Sequence, residues 1–251
     1  RDSKNVRLKG IDLDWVHPSC REAVITSIAD GETRFRMVDP YREQGECMIR
    51  LFRGDTREML PGASEVRLKG DAEDLGGGIR RLKYDFSKVG AGARVGDVLA
   101  FRKRNPDRPC PAVFVENAEN VVFEDFSVRT ADGMALLAQL SGDIRWSGGG
   151  VFPREGRYAS TQADATHFSN VRGKVVVENC RFEGMMDDAI NVHSTCLAID
   201  GIESPQKFRC RFAHPQAFGF GLVRAGDTLR FLDDETLDAV GEVRVRRVRR
   251  E

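Results

Sequence analysis

Apolar residues along the chain alternate with polar ones in short runs closed by Asn, Asp or Gly, and sustained helical periodicity is scarce. The pattern predicts an all-β fold of short strands. Some runs are copies of one another. Asn5–Leu13 is matched by Asn120–Val128 and by Lys174–Phe182, and Asp143–Trp146 opens a weaker copy. Each copy is a turn residue, a short alternating strand, a polar corner and a second short strand. Val121 to Ile144 is 23 residues and Ile144 to Val175 is 31, which leaves room for an extra loop near Pro153–Arg157. A unit of this length cannot bury its own apolar face, so such units must stack and share a core. The Leu/Asn ladder of leucine-rich repeats is absent, which leaves a right-handed parallel β-helix as the expected architecture.

Residues 1–15 then form one coil and residues 110–200 form further coils. Between them, residues 16–109 carry hairpin-like runs and turn signals such as Ala29-Asp30-Gly31 and Gly76-Gly77-Gly78. This stretch reads as an inserted antiparallel, β-barrel-like domain. Its closing segment, Arg94–Phe101, is echoed by Arg224–Phe231, so residues 201–251 read as the start of a second β-insertion in a fragment of a longer protein.

Composition narrows the function. The chain has 251 residues, 41% hydrophobic and 31% charged, with 39 basic and 39 acidic side chains. That balance gives no global field for nucleic acid, and no apolar run is long enough to span a bilayer. The basic run Val243–Arg250 alternates with valine and reads as a half-buried strand. Cys20, Cys47, Cys110, Cys180, Cys196 and Cys210 show no C-x-x-C spacing, so neither a zinc site nor a redox motif is expected. There is no signal peptide in the chain; the full-length protein is expected to be secreted or periplasmic.

The densest polar cluster is Gly184–His193. One coil earlier lies Gln162–Phe168, and Asp164 aligns with Asp188, His167 with Asn191 and Phe168 with Val192 at an offset of 24 residues. Residues one coil apart in a stacked sheet lie about 4.8 Å apart at the backbone. Two carboxylates are thereby stacked, with Asp187 beside them. Acids held so close repel, so one is expected to keep a proton at neutral pH. A protonated acid beside an ionised one suits glycoside hydrolysis. Neighbouring strand residues face opposite ways, so Asp187 and Asp188 share a site only where the strand ends or bulges. Read as residues alone, the cluster is equally an Asp ladder that caps turns or binds calcium.

The runs Arg154–Tyr158, Ala163–Asn170, Gly173–Cys180 and Phe182–His193 resemble glycoside hydrolase family 110, exo-acting α-1,3-galactosidases of the blood-group B type. The resemblance implies a β-helix with β-barrel insertions and a metal-independent inverting mechanism. By position it implies Asp187 as general acid, with Asp164 and Asp188 holding the attacking water. The implied partner is a glycan with terminal α-galactose, with no cofactor and no metal.

His167, Asn191 and His193 flank the acids, and Arg157 and Tyr158 sit in the extra loop; all five are candidates for sugar contact or for ordinary turn and loop structure. Trp15 and Trp146 read as core. Two other functions remain open from the residues: a calcium-dependent β-helix polysaccharide lyase and a non-catalytic glycan-binding solenoid.

Overall fold

A computed structural model of the protein describes residues 1–39, 47–103 and 110–249. The expected end of the first insertion at Pro109, and Arg250 of the basic run, lie outside the described residues. The fold is all-β: the described residues contain two 3-10 turns and no α-helix, so no helix is long and apolar enough to cross a membrane.

The repeat copies pair with one another. Strands Lys4–Lys9, Glu119–Val128, Gly142–Val151 and Arg172–Glu178 lie side by side, all parallel, with Asp12–Leu13 and Arg181–Phe182 continuing the same sheet. Val6 faces Val121, Val121 faces Ile144 and Ile144 faces Val175, the alignment read from sequence. A second parallel sheet runs Val113–Glu116, Leu136–Gln139, Thr166–Ser169 and Ile190–His193.

The corners between strands explain the recurring Asn, Asp and Gly. Gly10, Asp125, Gly148 and Asn179 occupy one corner column with φ between 47° and 78°, and Asn5, Asn120, Asp143 and Gly173 occupy another. Asn, Asp and Gly enter this left-handed region most easily. A third column is Asp2, Asn117, Leu140 and Asn170. There Leu140 is the exception; its buried side chain offsets a backbone cost of about 1–2 kcal/mol.

The eight extra residues between Ile144 and Val175 are split. The register offset widens from 23 at Val128–Val151 to 30 at Ala131–Thr161, and the last residue enters as an irregularity between Gly142 and Ile144. The first part contains the expected loop at Pro153–Arg157.

Side chains from both parallel sheets share one core, which includes Val115, Val121, Leu136, Ile144 and Phe168. Phe123, Phe126 and Trp146 are its aromatic centre, with ring centroids 5.2–5.7 Å apart. Burying each ring contributes roughly 1.5–3 kcal/mol. Trp146 is core as expected, and its indole N–H donates to the carbonyls of Phe126 and Gly148 at 3.1 Å.

Between Leu13 and Val113, the described residues 21–39 and 47–103 form a curled half-barrel sheet. Its seven antiparallel strands run in the order Val66–Leu68, Cys47–Phe52, Val98–Lys103, Arg21–Ala29, Glu32–Met37, Ile79–Leu82, Glu73–Asp74. It has a separate core of Ile25, Phe35, Ile49, Leu51, Phe86 and Leu99.

The chain divides into two compact units, Arg1–His193 and Ser194–Glu251. The second contains two hairpins, Leu197–Ser204 with Lys207–Phe212 and Thr228–Leu232 with Ala239–Arg244. The first hairpin straddles the boundary expected at residue 200. The echo between Arg94–Phe101 and Arg224–Phe231 is a shared turn. The Arg94 amide donates to the Asp97 carboxylate at 3.0 Å and the Arg224 amide to Asp227 at 2.7 Å, with a left-handed glycine, Gly96 or Gly226, just before each Asp. The basic run differs from expectation. Only Val243 and Arg244 lie in a strand, because the partner strand begins at Thr228 and Val245 closes the pair through Asp227.

Candidate active site

Asp164, Asp187 and Asp188 lie on bends that precede the strands Thr166–Ser169 and Ile190–His193. Those strands pair at the predicted offset, with His167 opposite Asn191 and Phe168 opposite Val192. The pairing continues into the bends, where the Ala165 amide donates to the Asp188 carbonyl at 2.8 Å. The bend also answers the facing problem, since Asp187 and Asp188 are not consecutive residues of a strand. Before the neighbouring strand Leu136–Gln139 the position aligned with Asp164 is Met134, because Leu136 pairs with Thr166. The segments before two adjacent parallel strands therefore supply all three acids.

One carboxylate oxygen from each of Asp164, Asp187 and Asp188 lies within 4.8 Å of those from the other two. Asp164 is 4% exposed, whereas Asp187 and Asp188 face solvent. His167 Nδ1 lies 2.7 Å from Asp164 Oδ2, and His167 Nε2 lies 2.7 Å from His193 Nε2. Asn191 Nδ2 donates to Asp188 Oδ2 at 3.2 Å. Three of the five predicted sugar-contact residues thus gather around the acids. A surface hollow lined by Lys4, Asn5, Asn120, Asp143 and Arg172 belongs to a corner column and contains none of them.

Arg157 and Tyr158 are engaged elsewhere. Arg157 is buried, donating to Asp39 Oδ2 and to the Cys20 carbonyl at 2.7 Å each, with Glu22 3.4 Å away. The Tyr158 hydroxyl donates to the Gly54 carbonyl at 3.0 Å, and Arg57 lies over its ring at 4.7 Å. Both side chains bond to the half-barrel.

The half-barrel also grips the bends that carry the acids, through residues that sequence reasoning missed. Arg102 donates to the Gln162 carbonyl at 2.7 Å, two residues before Asp164. Arg50 reaches the Met186 carbonyl at 3.4 Å, next to Asp187. Glu65 pairs with both arginines. Gln162 Nε2 donates to the Ser19 carbonyl at 2.8 Å and to Asp132 at 3.2 Å. Nothing in the local pattern around Arg50, Glu65 or Arg102 separates them from other strand charges.

Burial sets the charge state of one further group. Glu22 is fully buried, and desolvation pushes its carboxyl above its ordinary value. Arg157 and the amides of Tyr158 and Ala159 pull the other way without reversing the shift. The six cysteines are free thiols, and burial pushes Cys20 up to about 12, so it stays protonated.

The class of the protein comes from known proteins that this all-β chain resembles. Residues 207–250 match the family described as GLAA-B beta-barrel domain II. The chain is 36% identical over 266 residues to alpha-1,3-galactosidase B of Akkermansia muciniphila, a match covering 98% of this chain and 33% of that protein. It is 32% identical over 266 residues to alpha-1,3-galactosidase B of Parabacteroides distasonis, covering 96% of this chain and 42% of that one. With alpha-1,3-galactosidase B of Bacteroides fragilis it shares 43% identity over 150 residues, 59% of this chain and 25% of that protein. The chain is thus a homologue of glycoside hydrolases. Within them it is a partial sequence of the alpha-1,3-galactosidase type, glycoside hydrolase family 110, spanning between a quarter and about two fifths of the length of these relatives.

Proposed function

We propose that the protein containing this chain is an inverting exo-glycosidase that removes terminal α-1,3-linked galactose from glycans. The observation that carries the reading is the trio of Asp164, Asp187 and Asp188 on adjacent coils, in a chain whose relatives are named alpha-1,3-galactosidases. The scaffold we propose is a right-handed parallel β-helix, in which residues 1–15 and 110–200 are coils and residues 16–109 and 201–251 are barrel-like insertions. Its support is the pair of parallel sheets with one core.

In this mechanism Asp187 protonates the departing glycosidic oxygen. Asp164 and Asp188 hold one water between them and take its proton as it attacks the anomeric carbon from the opposite face. Stacked carboxylates suit a shared water, which leaves Asp187, outside the stacked pair, for the leaving group. His193 lies at the rim, where a sugar hydroxyl can meet it. No metal enters the scheme.

One observation favours a second reading. Inverting enzymes separate their acid and base by about 6.5–9.5 Å and retaining ones by about 5–5.5 Å. Oxygens within 4.8 Å of one another are closer to the retaining arrangement. An inverting site requires the exposed Asp187 carboxyl to swing out by roughly 2 Å as the sugar enters. The first-formed product anomer separates the two. NMR of an α-1,3-galactoside digest with the full-length protein should give β-galactose first, and α-galactose first would establish retention instead. Full activity in chelator is expected; loss in chelator with recovery in calcium would favour the lyase.

A further inference from the structure

His167 and Asn191 are opposite one another on paired strands, and each bonds the acid three residues before it. His167 takes Asp164 Oδ2 and Asn191 takes Asp188 Oδ2. The same device is therefore built twice, one coil apart. We propose that His167 and Asn191 are positioning residues, one for each carboxylate of the water-holding pair, and that His193 fixes the tautomer of His167. The inference rests on the reading of Asp164 and Asp188 as that pair, and it moves His167 and Asn191 from sugar contacts to supports of the acids.

The proton count supports it. An ionised carboxylate only accepts, so the hydrogen bond to Asp164 needs a proton on His167 Nδ1. With His167 neutral, its Nε2 carries none and accepts from the Nε2–H of His193 at 2.7 Å. Each contact then holds a single proton and no two donors collide. His167 also sits on a buried strand and has one ring packed against it. Its neighbours on the strand, Thr166 and Phe168, are fully buried, and the His193 ring stands edge-on to it at 84° with centroids 4.7 Å apart. Both ring nitrogens of His167 are bonded within the protein, so a sugar hydroxyl would have to displace one of these partners. The arrangement leaves Oδ1 of each stacked acid as the oxygen not used by its supporting side chain, and those are the atoms that would face one water.

The fold supplies its own conservative variant, because Asn at 191 already performs the task that His performs at 167. In the full-length protein, His167→Leu is expected to lower kcat by about 10–100-fold with KM within about threefold, the scale for loss of a supporting partner. His167→Asn is expected to recover most of that kcat. A rise in KM in both variants with no recovery in His167→Asn would overturn the positioning role and restore the sugar contact. A readout independent of turnover is the imidazole nitrogen spectrum of the wild-type protein. His167 should appear as the Nδ1–H tautomer, and should lose that single form in His193→Ala. A wild-type Nε2–H tautomer would overturn the proposal even if the variants misfold. A protein with the Nδ1–H form but no galactose release would leave the positioning chain standing and refute the proposed function instead.

Discussion

Arg102 donates to the carbonyl of Gln162 at 2.7 Å, and so a strand of the half-barrel holds the bend on which Asp164 lies. Arg102 is 7% exposed and ion-paired with Glu65, whose side chain is 13% exposed. Removing one member of a buried pair strands the other, at a cost of about 3–5 kcal/mol. Arg50, 3.5 Å from Glu65, remains as partial compensation and places the expected loss near the low end. Arg102→Ala should therefore lower urea stability by about 3 kcal/mol. The double variant Arg102→Met with Glu65→Leu should recover part of that stability, since it removes both buried charges and leaves only Arg50, whose side chain is 26% exposed, without Glu65. It should not recover kcat, because the Gln162 carbonyl still lacks its donor. Recovery of both would show that the arginine acts on stability alone.

The carboxylates themselves make a different prediction. Under the proposed mechanism, Asp187→Asn keeps shape and removes the transferable proton, and Asp164→Asn weakens the hold on water. General acid–base assistance contributes about 10²–10⁴-fold, so kcat on an unactivated α-galactoside should fall by that range in each. A substrate with a good leaving group, such as a nitrophenyl galactoside, needs less protonation. It should therefore rescue Asp187→Asn and leave Asp164→Asn impaired. Equal impairment of both on that substrate would remove Asp187 from the role of acid.

The parallel pairing of the strand copies and the meeting of Asp164 with Asp187 and Asp188 were legible because both follow from the repeat. The corner residues Asn5, Asn120 and Asp143 mark the start of each copy, and the offset of 24 residues that aligned Asp164 with Asp188 is the register of the strands that follow them. What was not legible lacks a period. Arg102 meets Gln162 60 residues away, and Glu22 meets Tyr158 across 136, through contacts set by how a half-barrel docks and not by any local spacing. Arg157 shows the same limit from the other side. In sequence it is a loop arginine beside the acids; in the fold it is buried among Glu22, Asp39 and Cys20. The Val/Arg alternation after Arg244 suggested a strand, yet a strand needs a partner and the pairing ends there.

Glu22 gives stability a pH dependence whose sign is fixed. Its carboxyl is raised above its ordinary value of 4.5 in the folded protein, with burial as the main cause. Between 4.5 and the raised value the native state holds more protons than the unfolded one, so the contribution present at low pH is lost as pH rises through the folded pKa. The slope from one group is at most about 1.4 kcal/mol per pH unit. Glu22→Gln cannot ionise and keeps an acceptor for the amides of Tyr158 and Ala159. Measured as Tm against pH, the variant should gain on wild type as pH rises from 4.5. A constant difference across that range would mean that Glu22 does not titrate differently on folding.

Backbone packing between parallel strands can be tested at two glycines of contrasting surroundings. Gly150 has φ of 132° and lies opposite Arg181 on the neighbouring strand, where an added Cβ would stand 2.0 Å from the Arg181 carbonyl oxygen. That oxygen is main chain in a paired strand and cannot step aside without breaking the sheet next to Phe182. Gly156, in the loop before Arg157, has φ of 79° but open space around it. Alanine there pays only the left-handed backbone cost, about 1–2 kcal/mol. Gly150→Ala combines a comparable strain with a steric clash and should lose more than about 3 kcal/mol in denaturant unfolding, against about 1 kcal/mol for Gly156→Ala. The half-barrel core of Phe35 and Ile49 is remote from this contact in sequence and has its own packing. Hydrogen exchange in Gly150→Ala should therefore speed up first in the paired strands Gly142–Val151 and Arg181–Phe182. Equal losses in the two variants would mean that the strand-to-strand contact at Gly150 is looser than its 2.0 Å clash implies.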